Sequence, residues 1–107
     1  MDLRRHHRFP VQFQSMFSGP KLNESFGTMV NLSEGGCGIQ TDSPVYPGMQ
    51  LTLHLHVPNE DAPIKIEQAA VHWNRVGEIG LGFITVSPAE RQRLGHLIER
   101  MNREQKI

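Results

Sequence analysis

Apolar and polar positions alternate along most of this chain. Leu51, Leu53, Leu55 and Val57 alternate with Thr52, His54 and His56, which predicts a strand with one buried face. Val11, Phe13 and Ser15 alternate with Gln12, Gln14 and Met16, after a Phe9-Pro10 pair whose proline biases Phe9 away from helix. Apolar stretches from about Phe26 to Leu32, from Cys37 to Thr41, and at Ile79, Leu81 and Phe83 read as three further strands, the last with Gly80 and Gly82 on its other face. Ile64 and Ile66 are apolar on one parity, whereas Ala69, Val71 and Trp73 are apolar on the other. A strand that changes face requires a bulge, and Gln68 to Ala70 is the place for it. On this pattern Trp73 belongs to the core. Ser18-Gly19-Pro20, Asn23-Glu24-Ser25, Asp42-Ser43-Pro44, Pro47-Gly48, Pro58 to Pro63 and Asn74 to Glu78 are turn and loop material.

The period changes at Ser87-Pro88-Ala89-Glu90. Ser87 can cap a helix, Pro88 suits its first position, and Glu90 completes a capping box. Leu94, Leu97, Ile98 and Met101 follow as one apolar stripe. Arg91, Arg93, Arg100 and Arg103 fall off that stripe and are expected on a solvated face. Short strands at regular spacing indicate a sandwich or a small closed barrel, and closure removes the exposed edges of so small a sheet. The expected architecture is mainly β, one domain over 1–107 made of a flexible arginine arm of residues 1–8, a small barrel over 9–86 and a helix over 87–103.

Composition narrows the function. With 107 residues, 11 Lys+Arg and 11 Asp+Glu, the net charge is zero, which disfavours a protein that coats nucleic acid through its whole surface. The single cysteine, Cys37, excludes an internal disulfide and a multi-cysteine zinc site; a small core or rim position is expected for it, in a reducing, cytoplasmic setting. No apolar run approaches the length of a membrane span, and no apolar segment follows the N-terminal charges as in a signal peptide.

No catalytic constellation stands out, and an enzyme is not expected. No nucleophile-elbow pattern marks a serine, and Glu60 and Asp61 lie in a Pro-flanked loop as solvated turn residues. His54 and His56 share one strand face and could share a metal, but nothing nominates a third ligand. Two stretches remain. Arg4-Arg5-His6-His7-Arg8 places three arginines in five residues. In an extended arm Arg4 and Arg8 stand about 13 Å apart on one side, and their planar forks match phosphate oxygens or the O6/N7 edge of guanine. Asn31-Leu32-Ser33-Glu34-Gly35-Gly36-Cys37-Gly38 reads as a polar turn between strands, with Asn31 and Ser33 on one face of the sheet rim. An amide and a hydroxyl there can meet a purine edge. The Gly35 to Gly38 run is no Walker loop, since it lacks the Lys-Ser/Thr ending and no helix follows. The two stretches together read as one ligand site.

The pair also carries a resemblance. Arg4-Arg5-His6-His7-Arg8 fits an R-x-x-x-R signature, and Asn31-Leu32-Ser33-Glu34-Gly35-Gly36 fits D/N-x-S-x-x-G at every fixed position. Val71-His72-Trp73, Gly80-Leu81-Gly82-Phe83 and the Ser87-Pro88-Ala89-Glu90-Arg91 helix start continue it. In these features the chain resembles the PilZ domain family. The resemblance implies a six-stranded antiparallel barrel with a C-terminal helix and a receptor for cyclic di-GMP. It further implies that Arg4 and Arg8, assisted by Arg5, contact guanine and phosphate, that Asn31 and Ser33 hold a guanine edge, and that Gly36 leaves room for the ligand. No cofactor or metal is expected; cyclic di-GMP is the ligand and a protein effector the downstream partner, with a homodimer left open. The alternatives are a nucleotide-independent interaction module of the same fold, and a small barrel that binds RNA or DNA through the arm.

Overall fold

The computed structural model describes residues 7–104. Six strands, β1 (Phe9–Gly19), β2 (Leu22–Leu32), β3 (Gly36–Gln40), β4 (Gln50–His56), β5 (Ile64–Arg75) and β6 (Glu78–Thr85), precede one helix, α1 (Pro88–Glu104). The strands close into a barrel in the order β1-β2-β3-β6-β5-β4, and every neighbouring pair is antiparallel. The expected barrel with its C-terminal helix is the observed fold.

The alternating residues explain the inside of the wall. Phe17, Met29, Ile39, Leu53, Leu55, Ile64, Ile66 and Leu81 have no solvent-exposed surface. The change of face in β5 is a bulge. Leu53 pairs with Ile66 and Leu51 with Ala69, so β5 carries one more residue than β4 across this interval, and Ile64, Ile66, Ala69 and Val71 all remain buried. Helix α1 adds Leu94, Leu97 and Met101 to the same core. Burying each such side chain contributes about 1.5–3 kcal/mol, which fixes the helix against the barrel. Its N-terminus is capped as expected, with the Glu90 N–H donating to Ser87 Oγ at 3.4 Å.

Several expectations need correction. Asn23 to Ser25 are strand, not turn, because the β1–β2 hairpin extends to a Gly19–Leu22 pair. Strand pairing likewise runs to Arg75–Glu78, which shortens the β5–β6 turn to Val76-Gly77, with Gly77 at φ +80°. Arg93 is not on a solvated face. It donates to Pro63 O at 2.9 Å and Ala62 O at 2.6 Å, and pairs with Glu60 at 2.9 Å and Glu90 at 3.0 Å. The Pro-flanked loop folds onto the helix, so Glu60 becomes an anchor and Glu90 turns towards Arg93. Trp73 leaves the core, for a reason described below.

Cys37 lies in the core with no exposed surface. Burial pushes its thiol up from 9.0 to about 12, opposed in part by the positive charge of Arg8. In the unfolded chain the thiol loses its proton near pH 9, while in the fold it keeps it to about 12. Above pH 9 the unfolded state therefore binds fewer protons, and stability falls as pH rises through that window and is unaffected below it. Chemical denaturation from pH 8 to 11 checks this: the wild type loses stability more steeply than Cys37→Ala, which starts lower because of the small cavity.

Candidate functional site

The site begins where β1 does. Phe9 is buried and pairs with Leu32, and Pro10 pairs with Asn31. This register brings Arg8 alongside the end of β2, where its Nη1 donates to Asn31 Oδ1 at 2.7 Å. Arg8, the last residue of the first signature stretch, therefore meets the second at Asn31. Arg4 and Arg5, with the rest of the expected arm through residue 6, lie outside the described residues.

The turn from β2 to β3 is built by Ser33. Its Oγ accepts from the Gly35 N–H at 3.2 Å and the Gly36 N–H at 3.1 Å, and donates to Gly36 O at 3.3 Å. A hydroxyl has one donor and two acceptor positions, and all are used inside the turn. Ser33 is 1% exposed, so in this state it braces the turn and does not stand beside Asn31 on an open rim. Gly36 has no space for a side chain: a Cβ there would collide with Leu81 O and sit 3.3 Å from Arg8 Nη2.

The sequence pattern missed what lies on the outer wall. Gly36 pairs with Gly82 and Gly38 with Gly80, across β3 and β6. A planar side chain rests on each glycine. Arg8 borders Gly36, and Asn31 covers Gly38, with Nδ2 2.7 Å from where a Cβ would be. The Trp73 indole covers Gly80 and the His72 imidazole covers Gly82, each inside the volume a Cβ would need. Two further register shifts make this possible. Asn31 follows a shift between Met29 and Asn31 in β2, and Trp73 follows one between Val71 and Trp73 in β5. The second bulge puts two consecutive residues, His72 and Trp73, on the outside. This is why Trp73 is absent from the core. Asn31, Gly38, Gly80 and Trp73 thus form one row across four strands, about 14 Å from end to end at the usual strand spacing. Arg75 lies over the indole, its guanidinium carbon 4.7 Å from the ring centroid, a cation–π contact. The four glycines were the available signal, since Gly80 and Gly82 leave one face of β6 bare.

Chemically, the surface offers two guanidiniums, an amide, an imidazole and an indole, laid on backbone. Such groups hold anions through the forks and flat rings through their faces. A cleft of about 470 Å³ adjoins it, bounded by His7, Phe9 and Glu34 and by the Gly95–Asn102 side of α1. Among the described residues no group of three His, Cys, Asp or Glu could hold a metal ion. His54 is half-buried, and its Nδ1 is shielded with no hydrogen-bond partner among the described residues; His56 is exposed.

The PilZ domain family matches the chain over residues 2–100. The chain belongs to the PilZ domain family. Comparison with curated proteins returns no match. Among solved structures, the Bacillus subtilis inhibitor of motility MotI/DgrA superposes with a TM-score of 0.80 at 18% identity, over 100% of this chain and 55% of its own. The PilZ domain of YcgR from Escherichia coli, solved with c-di-GMP, gives 0.76 at 17%, over 96% and 94%. The K. pneumoniae MrkH–c-di-GMP complex gives 0.76 at 17%, over 99% and 55%. This PilZ chain thus spans about half the length of MotI and MrkH and nearly all of the isolated YcgR domain. No helix among the described residues is long and apolar enough to cross a membrane.

The paving of the PilZ wall is testable through Trp73, the only tryptophan. Gly80→Ala forces the indole off its seat at a cost of about 1–3 kcal/mol. The expected outcome is a red-shifted tryptophan emission with unchanged far-UV circular dichroism. An emission spectrum identical to wild type contradicts the assignment.

Proposed function

We propose that this PilZ domain is a non-enzymatic receptor for cyclic di-GMP. The observation that carries the proposal is the docking of Arg8 on Asn31 beside the glycine-floored row that ends in Trp73. The ligand is a dianion with two purines. Arg8 is a fork for phosphate or for the guanine O6/N7 edge, and Asn31 offers an amide to a guanine edge. Trp73 offers a face on which a base can stack. Ser33 and Gly36 act by shaping the turn, and a direct contact from Ser33 to a base requires the hydroxyl to exchange one of its turn bonds. Arg4 and Arg5 follow the signature and add further guanidiniums from the arm. Binding needs no cofactor.

The neutral amide of Asn31 suits this role. It holds Arg8 in place before binding without neutralising it, so Arg8 can turn to an anion at the cost of one charge-assisted hydrogen bond, typically about 1.5–3 kcal/mol. Binding changes the conformation of the domain, and a protein effector in the cytoplasm reads that change. The c-di-GMP in the YcgR and MrkH structures supports this reading.

Titration calorimetry with cyclic di-GMP tests it and gives the stoichiometry. The expected result is saturable binding by the wild type and at least about tenfold weaker binding by Arg8→Ala, from loss of a charge-assisted contact. No binding by the intact protein overturns the proposal in favour of a nucleotide-independent interaction module. Binding undiminished in Arg8→Ala overturns the site.

A further inference from the structure

We infer that His72 is an additional ligand-binding residue, seating a phosphodiester oxygen of the nucleotide opposite Arg8, and that it makes binding tighter as pH falls. The inference rests on the cyclic di-GMP reading above and adds a contact that the two signature stretches do not contain.

Its basis is the Gly36–Gly82 pair. Directly paired positions on one face of a sheet have Cβ sites about 4.5–5.5 Å apart. Arg8 Nη2 lies 3.3 Å from the site at Gly36, and His72 Nε2 and Nδ1 lie 2.5 and 3.1 Å from the site at Gly82. A guanidinium and an imidazole therefore stand on two directly paired glycines. A tetrahedral anion between them can accept from both. His72 is exposed, and among the described residues no hydrogen bond or salt bridge engages its ring, so it needs to break nothing to reach a ligand.

The surrounding charges favour an anion. Arg8 faces His72 from the segment ahead of β1. On its own strand Arg75 lies over Trp73. Beyond Gly35 and Phe83, Glu34 of the β2–β3 turn and Arg91 of α1 line a neighbouring cavity. Glu34 is the one carboxylate in this group, and it is exposed. Imidazole gains its charge between pH 5 and 8. A phosphodiester beside it favours the charged form, so binding takes up a proton, and by linkage affinity rises as pH falls. The ligand's phosphodiesters stay ionised throughout this range and do not contribute to the change.

Calorimetric titration of cyclic di-GMP into the intact chain at pH 5.5, 6.5 and 8.0 tests the inference, with His72→Gln and His7→Gln compared with wild type. His7 is included because it neighbours Arg8 in sequence. The expected result is binding about tenfold tighter at pH 5.5 than at 8.0 in the wild type, a dependence retained by His7→Gln and reduced to less than about threefold in His72→Gln. In proton NMR, saturating ligand moves the titration midpoint of the His72 Cε1 proton upwards. A flat wild-type profile, an unchanged profile in His72→Gln, or an unmoved midpoint overturns the role of His72 while leaving the receptor reading intact. Absence of wild-type binding at every pH overturns both.

Discussion

Four glycines in two cross-strand pairs, Gly36–Gly82 and Gly38–Gly80, strip the outer wall of β3 and β6 of side chains. Other side chains then come to rest directly on backbone. Arg8 and Asn31 reach in from the β2 side, and His72 and Trp73 from the β5 side. A Cβ at any of the four positions would meet one of these groups within 3.3 Å. The site's shape thus follows from a steric constraint, and the polar contacts on it are secondary. The Arg8–Asn31 hydrogen bond has its geometry because Gly36 and Gly38 allow both groups to lie low.

The barrel makes that constraint dependable. Behind the glycines, Cys37, Ile39, Ile79 and Leu81 alternate into a core that has essentially no exposed surface. A wall packed this way resists the small displacements that would misalign a ligand contact. Two bulges break the alternation on the flanks, one before Asn31 and one before Trp73, and they aim residues that strict alternation would have sent elsewhere. The rigid half of the PilZ site is therefore strand and bulge, with Ser33 holding the turn between. Arg8 joins it from the segment ahead of the first strand.

Much of this was legible in the sequence, for physical reasons. The Leu51 to Val57 alternation, the change of face in β5 and the Ser87 cap are local signals, and each produced the element it predicted. The meeting of Arg8 with Asn31 was also legible, because forks and amides are chemically distinctive. Other features depended on contacts distant in sequence. Asn23 to Ser25 look like a turn until β1 is there to pair with them. Arg93 looks solvated until the loop before Ile64 folds onto it. Trp73 reads as core because the residues before it are core, and the bulge at His72 leaves no mark in the hydrophobic pattern. The two-residue spacing of Ser33 from Asn31 suggests a shared rim face, but β2 ends at Leu32 and the chain already turns at Ser33.

We propose that the ligand lies on the glycine-floored wall between Arg8 and Trp73. Amide chemical-shift mapping with cyclic di-GMP tests it most directly, since the glycine amides of β3 and β6 report on the floor itself. The largest shifts are expected at Gly36, Gly38, Gly80 and Gly82 and at the Trp73 indole N–H. Saturable binding whose largest shifts fall elsewhere, such as around Leu97 and Met101 on α1, would contradict it.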